Sequence, residues 1–179
     1  MINPDVPLVT YIDVPVIILL LICCYTDLRS RKIYNHVLLP AVVTAFMVNF
    51  LNGGLSACLD SLQGLLLGMA LLIIPFAAGG MGAGDVKLLG AIGAFKGPEF
   101  VFTVFLAGAI AGGIVSLYLL ARKGKLLLTL KKIYYLFLNK LLHIPSSITF
   151  NKLETAVQGE SFPYALALGL GAAWAYILG

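Results

Sequence analysis

Apolar runs separated by short polar connectors fill most of the chain, at about 8–26, 37–51, 59–78, 86–95, 100–121 and 162–178. A bilayer crossing needs about 20 largely apolar residues, so the pattern predicts an all-α, polytopic membrane bundle of about six helices. The fourth run is the weakest. Ten residues of helix rise only about 15 Å, half of the roughly 30 Å hydrocarbon core, which predicts a half-span or a tilted segment. Gly97-Pro98 after it reads as a tight turn.

The connectors sort the charges. With six crossings, Arg29, Arg31, Lys32, Lys87, Arg122, Lys123, Lys125, Lys131, Lys132, Lys140 and Lys152 share one face and only Lys96 lies opposite. The positive-inside rule makes that face cytoplasmic and leaves the N-terminus outside. The longest polar interval, about 122–161, mixes apolar residues with lysines over 126–142 and reads as a cytoplasmic basic loop with an interfacial amphipathic helix. A short seventh crossing there is the alternative, at the cost of central lysines in lipid. Residues 1–179 are thus expected to form one integral-membrane domain.

Composition strengthens the membrane reading: 60% of the 179 residues are hydrophobic, 11% are charged, and mean hydropathy is +1.00. A soluble domain carries about 25% charged residues. The first basic residue is Arg29, after the first apolar run, so that run reads as a retained helix and not a secretory signal. Cys23, Cys24 and Cys58 form no CxxC pair and read as apolar filler. The net charge of +4 does not imply nucleic acid, because it sorts by side of the membrane. Small residues at Gly108, Ala109, Ala111, Gly112 and Gly113, and again at Gly169, Gly171, Ala172 and Ala173, predict close helix packing.

Two carboxylates stand out by their surroundings. Asp27 ends the first apolar run and leads into a basic juxtamembrane turn. Asp85 follows Gly79, Gly80, Gly82 and Gly84, a backbone that another chain can approach closely. The predicted topology brings both to the same membrane face. Each also has a bland reading, Asp27 as a solvated helix end and Asp85 as an N-cap. Asp60 and Glu99 read as residues at helix starts, and Asp13 as an outer-face residue. A close carboxylate pair needs no cofactor to hydrolyse a peptide, because repulsion keeps one acid protonated and the other ionised. His36 and His143 lie in no HExxH motif and no GxSxG is present, so no metal is expected.

Asp27, the turn ending Ile33-Tyr34-Asn35, the string Gly82-Ala83-Gly84-Asp85-Val86-Lys87, and Pro163-Tyr164-Ala165 together resemble the type IV prepilin peptidases, membrane aspartyl proteases of the GxGD kind. The resemblance implies Asp27 and Asp85 as catalytic residues. It makes Gly82, Gly84, Lys87 and Asn35 candidates for the substrate cleft. Tyr34 stands where the family usually has proline. The cysteines and length that accompany N-methylation in larger members are missing, so the chain is similar to the short, peptidase-only form.

The implied substrate is a pilin-like precursor with a short basic leader, cut at the cytoplasmic face of the inner membrane before its apolar helix. GxGD alone is shared with archaeal preflagellin peptidases, which stay open as an alternative. So do a small ion or proton channel using Asp27 and Asp85, and a non-catalytic assembly partner. Oligomeric state is not legible.

Overall fold

The apolar runs fold as helices, and glycines decide where those helices reverse. In the computed structural model the described residues are 12–122, 124 and 164–178, and their regular structure is all helical. The order is α1 (Asp13–Ser30), α2 (Asn35–Ala77), α3 (Ala83–Arg122) and α4 (Tyr164–Leu178). Contacts divide the chain into Met1–Gly112 with Pro163–Gly179, and Gly113–Phe162. The packing described below belongs to the first of these units. The expected interfacial helix at 126–142 lies outside the described residues.

α2 and α3 each consist of two limbs. Gly54 (φ 63°, ψ −143°) interrupts α2, and Gly97 (φ 81°, ψ −179°) interrupts α3. Glycine reaches such positive φ without steric penalty. The first break is a reversal and not a bend. Asn49 and Ser61 would lie about 18 Å apart along a straight helix, yet Asn49 Nδ2 donates to Ser61 Oγ at 2.8 Å. Pro98 then opens the second limb of α3, where its missing N–H costs no helical hydrogen bond.

The contacts between limbs fix their directions. The first limb of α3 begins beside the start of α2, where Lys87 Nζ donates to Asn35 Oδ1 at 3.1 Å. It ends where Lys96 meets Asp13 at the start of α1. The second limb sets out from that same end, with Phe100 against Tyr176 of α4 at 5.0 Å between ring centroids. It returns until Gly108 and Gly112 lie against Ala167. α1 and α4 are antiparallel, joined by Tyr176 to Asp13 at one end and by Ala165 to Asp27 at the other. Asn49 donates to the carbonyls of Ala94 and Phe95, while Gly68 faces Leu89, so the limbs of α2 run in opposite senses along α3. The helical segments therefore alternate in direction, and one end of the bundle gathers the close of α1, the starts of α2, α3 and α4, and the Gly79–Gly82 connection.

The short fourth apolar run is the centre of this arrangement. Leu88, Leu89, Ala91, Ile92 and Ala94 are fully buried and Phe95 nearly so. A helix enclosed by other helices need not match the bilayer along its own length, which accounts for a run too short to cross by itself. Missing side chains permit the enclosure: a Cβ on Gly64 would overlap the Gly93 carbonyl, and one on Gly68 would lie 2.6 Å from the Leu89 carbonyl oxygen. Large apolar side chains face outward instead, among them Leu21, Leu51, Leu55, Ile74, Ile110 and Ile177. α2 (Asn35–Ala77) and the Ala83–Tyr118 part of α3 are long and apolar enough to cross a membrane.

Asp13 lies at the bundle end opposite Asp27 and is buried there: its carboxylate pairs with Lys96 at 2.6 Å and accepts from the Tyr176 hydroxyl at 3.1 Å. The Lys96 ammonium also lies 5.1 and 5.2 Å from the centroids of the Phe100 and Tyr176 rings, and contacts of this kind attract a cation. Asp60 does not open a helix, because the break falls at Gly54; it is exposed within the second limb of α2.

Candidate active site

The connector between α1 and α2 bends sharply enough to face the start of α3. Arg31 caps α1 in the left-handed conformation (φ 50°), with its N–H on the Asp27 carbonyl at 2.8 Å. This turn puts Ile33 against Gly84, where an added Cβ would approach the Ile33 Cβ to 2.8 Å. Gly84 is thus needed for close approach. Gly82 meets no comparable obstacle, its added Cβ lying 3.5 Å from an Asp85 carboxylate oxygen.

Between these elements lies an open cavity of about 430 Å³ whose walls include Asp27, Arg31, Lys32, Asn35, His36, Gly82, Gly84 and Asp85. Asp27 and Asp85, separated in sequence by the whole of α2, therefore share one chamber. Of the cleft candidates, Gly82, Gly84 and Asn35 line it. Lys87 does not; it holds Asn35 from the side through the 3.1 Å bond already described.

Each carboxylate is held by a backbone N–H. Asp85 stands in the first turn of α3, three positions beyond Gly82, and accepts the Gly82 N–H on Oδ2 at 3.1 Å. This is the returning half of a capping box, so Asp85 is not the N-cap considered from sequence. Asp27 accepts the Ala165 N–H on Oδ2 at 3.1 Å, a donor from the first turn of α4. That donor has no side-chain signature; the sequence marked Ala165 only through the Pro163-Tyr164-Ala165 string of the resemblance, with no role for its N–H.

Both acids lie at helix ends, beyond the apolar runs of their segments, and both bind protons more tightly than an ordinary carboxyl. Burial pushes Asp85 up to about 6, against the opposing Gly82 N–H and with a further push from Asp27. Burial also raises Asp27, opposed by the Ala165 N–H and the Arg31 guanidinium. Asp27 has two partners that favour its charge and Asp85 has one, so Asp85 is the better proton carrier of the pair. Among the described residues, no three of His, Cys, Asp and Glu gather as a metal-binding group.

The model of the type IV leader peptidase family matches residues 15–117, which include both aspartates and the glycine-rich connection. No curated protein and no solved structure matches the chain.

Proposed function

The chain belongs to the type IV leader peptidase family, and on that premise we propose that it is a membrane aspartic endopeptidase whose catalytic pair is Asp27 and Asp85. The observation that carries this reading is the shared cavity, with two carboxylates whose surroundings favour one proton between them. The pair titrates as a unit. Asp27, in its ionised form, takes a proton from water as the water oxygen bonds to the scissile carbon, and Asp85 gives its proton to the carbonyl oxygen. The gem-diol then returns a proton to Asp85 as the C–N bond breaks, and Asp27 protonates the departing amine. No acyl-enzyme forms, and each acid ends in its starting state.

The substrate in this proposal is a pilin-like precursor with a short leader ahead of an apolar helix. The cavity is open, and Gly82 and Gly84 leave it without bulky side chains on one wall, which suits an extended backbone with small residues near the cut. The apolar exterior suits lipid, and the alternating segments support six crossings. Arg29, Arg31, Lys32 and Lys87 gather at the cavity end, which favours a cytoplasmic site and an outer N-terminus under the positive-inside rule. Met1–Gly112 with Pro163–Gly179 would then be one peptidase body.

Co-expression with a pilin-like precursor, followed by mass determination of the new N-terminus, tests the reading. A single cut before the apolar helix, with no added methyl group, is expected; an unprocessed precursor at normal enzyme abundance would overturn the substrate assignment. A preflagellin precursor run beside it separates the two related substrate classes.

The pH dependence follows from the two acids. kcat/KM reports the free enzyme, in which Asp85 loses its proton as pH rises through about 6. The value of kcat/KM is therefore expected to decline above that pH. Enclosure by substrate removes more water and raises the loss further, so kcat should hold to higher pH. Rates on a precursor peptide in detergent or nanodiscs across pH 4–9 check both limbs. For Lys87→Met, loss of the bond to Asn35 is expected to weaken kcat/KM by about 2- to 10-fold, the worth of one exposed hydrogen bond.

A further inference from the structure

Ala165 is gripped on both of its peptide groups by α1. Its N–H donates to Asp27 Oδ2 at 3.1 Å, and its carbonyl accepts from the Cys24 thiol, Sγ to O 3.2 Å. Cys24 and Asp27 are three positions apart and so lie on one face of α1. The sulfur fits because the next turn of α4 presents Gly169, where an added Cβ would come within 3.2 Å of it. Ala165 itself is fully buried, so its N–H has no water to turn to.

We propose that the first turn of α4 is the positioning device of the dyad: the Ala165 N–H fixes Asp27 as the base, and Cys24 holds Ala165 in place. This rests on the dyad reading above. A first-turn N–H has no partner within its own helix and sits at the positive end of the helix dipole, so it favours the ionised carboxylate. Asp85 has a comparable N–H from Gly82, but that bond is local to α3; the bond to Asp27 exists only while α4 is seated on α1. The other charged or titratable groups near Asp27 are Cys23 on α1 itself, Arg31 and Lys32 from the turn after α1, His36 from α2 and Asp85 from α3, with Tyr164 of α4 set against Asp85. Arg31 acts in the same direction as Ala165, and Asp85 against it. Ala165 acts on Asp27 through its N–H, and Cys24 acts only through Ala165.

The test is the acid limb of kcat/KM, measured with the full chain in nanodiscs on a precursor peptide. Ala165→Pro deletes the N–H in a first turn, where proline is tolerated. It is expected to move the limb to higher pH by about one unit, the worth of one hydrogen bond to a charged acceptor. Ala165→Gly keeps the donor and should keep the limb at its wild-type pH. Cys24→Ala should shift the limb in the same direction as proline, and Cys24→Ser, which retains a donor, should restore it.

An unmoved limb in Ala165→Pro at normal abundance would overturn the proposal. Should that variant not accumulate, the Cys24 pair decides: equal limbs in alanine and serine variants overturn it, and a serine-rescued shift supports it. Cleavage by Asp27→Asn would sink the dyad reading itself, an outcome distinct from either of these.

Discussion

Asp27→Asn and Asp85→Asn are each expected to lower precursor processing by about 10²- to 10⁴-fold, the range that a positioned acid or base contributes, at unchanged abundance in the membrane. The shape of the site survives both changes. An asparagine oxygen at position 85 can still accept the Gly82 N–H, and one at position 27 the Ala165 N–H, so the bonds that hold each side chain remain available. What disappears is the exchangeable proton. Asp85→Asn also removes a carboxyl whose charged form burial disfavours. That variant should therefore be no less stable than the wild type above pH 6, where the native carboxyl must ionise. Immunoblots of precursor, product and enzyme from one culture separate lost chemistry from lost protein. Full processing by either variant would remove that aspartate from the mechanism.

Gly93→Ala is expected to give a large loss of folded protein. The Cβ would overlap the carbonyl of Gly64 and lie 2.5 Å from its carbonyl carbon, and the obstacle is backbone, not the movable end of a side chain. Neither limb can retreat cheaply. The first limb of α3 is enclosed, and Asn49 binds the Ala94 and Phe95 carbonyls next to the contact. Overpacking a core costs about 1–3 kcal/mol where side chains can shift, and about 3 kcal/mol or more is expected here. Thermal unfolding in detergent, with Gly113→Ala as comparison because among the described residues nothing beyond its own helix backbone lies within 4 Å of a Cβ added there, checks the difference. A Gly93→Ala protein as stable as Gly113→Ala would mean that the two limbs are not in backbone contact.

These two predictions draw on opposite ends of what the sequence makes legible. The helical character of the chain follows from its apolar runs, and the reversals at Gly54 and Gly97 fall within the polar intervals read as connectors, because only glycine carries the required φ at no cost. Asp27 and Asp85 were legible because each stands at the boundary of an apolar run, beside basic residues or glycines. Other features depend on partners remote in sequence. Asp13 finds Lys96 and Tyr176 only once α1, α3 and α4 are assembled. Gly64, Gly68, Gly90 and Gly93 carried a small-residue spacing, but the runs that contain them also read as uninterrupted spans, and the small residues singled out were those near Gly108 and Gly169. The Ala165 N–H is a backbone atom and leaves no compositional trace.

The seating of α4 on Asp27 also bears on when the enzyme comes into being. Both aspartates and the glycine-rich connection are synthesised before residue 90, but the amide that holds Asp27 arrives only with residue 165. A nascent chain can bring its two acids into the membrane and still lack the N–H that binds one of them. Under the proposed mechanism, a polypeptide halted short of the last described helix would carry both acids without the N–H that α4 supplies to Asp27.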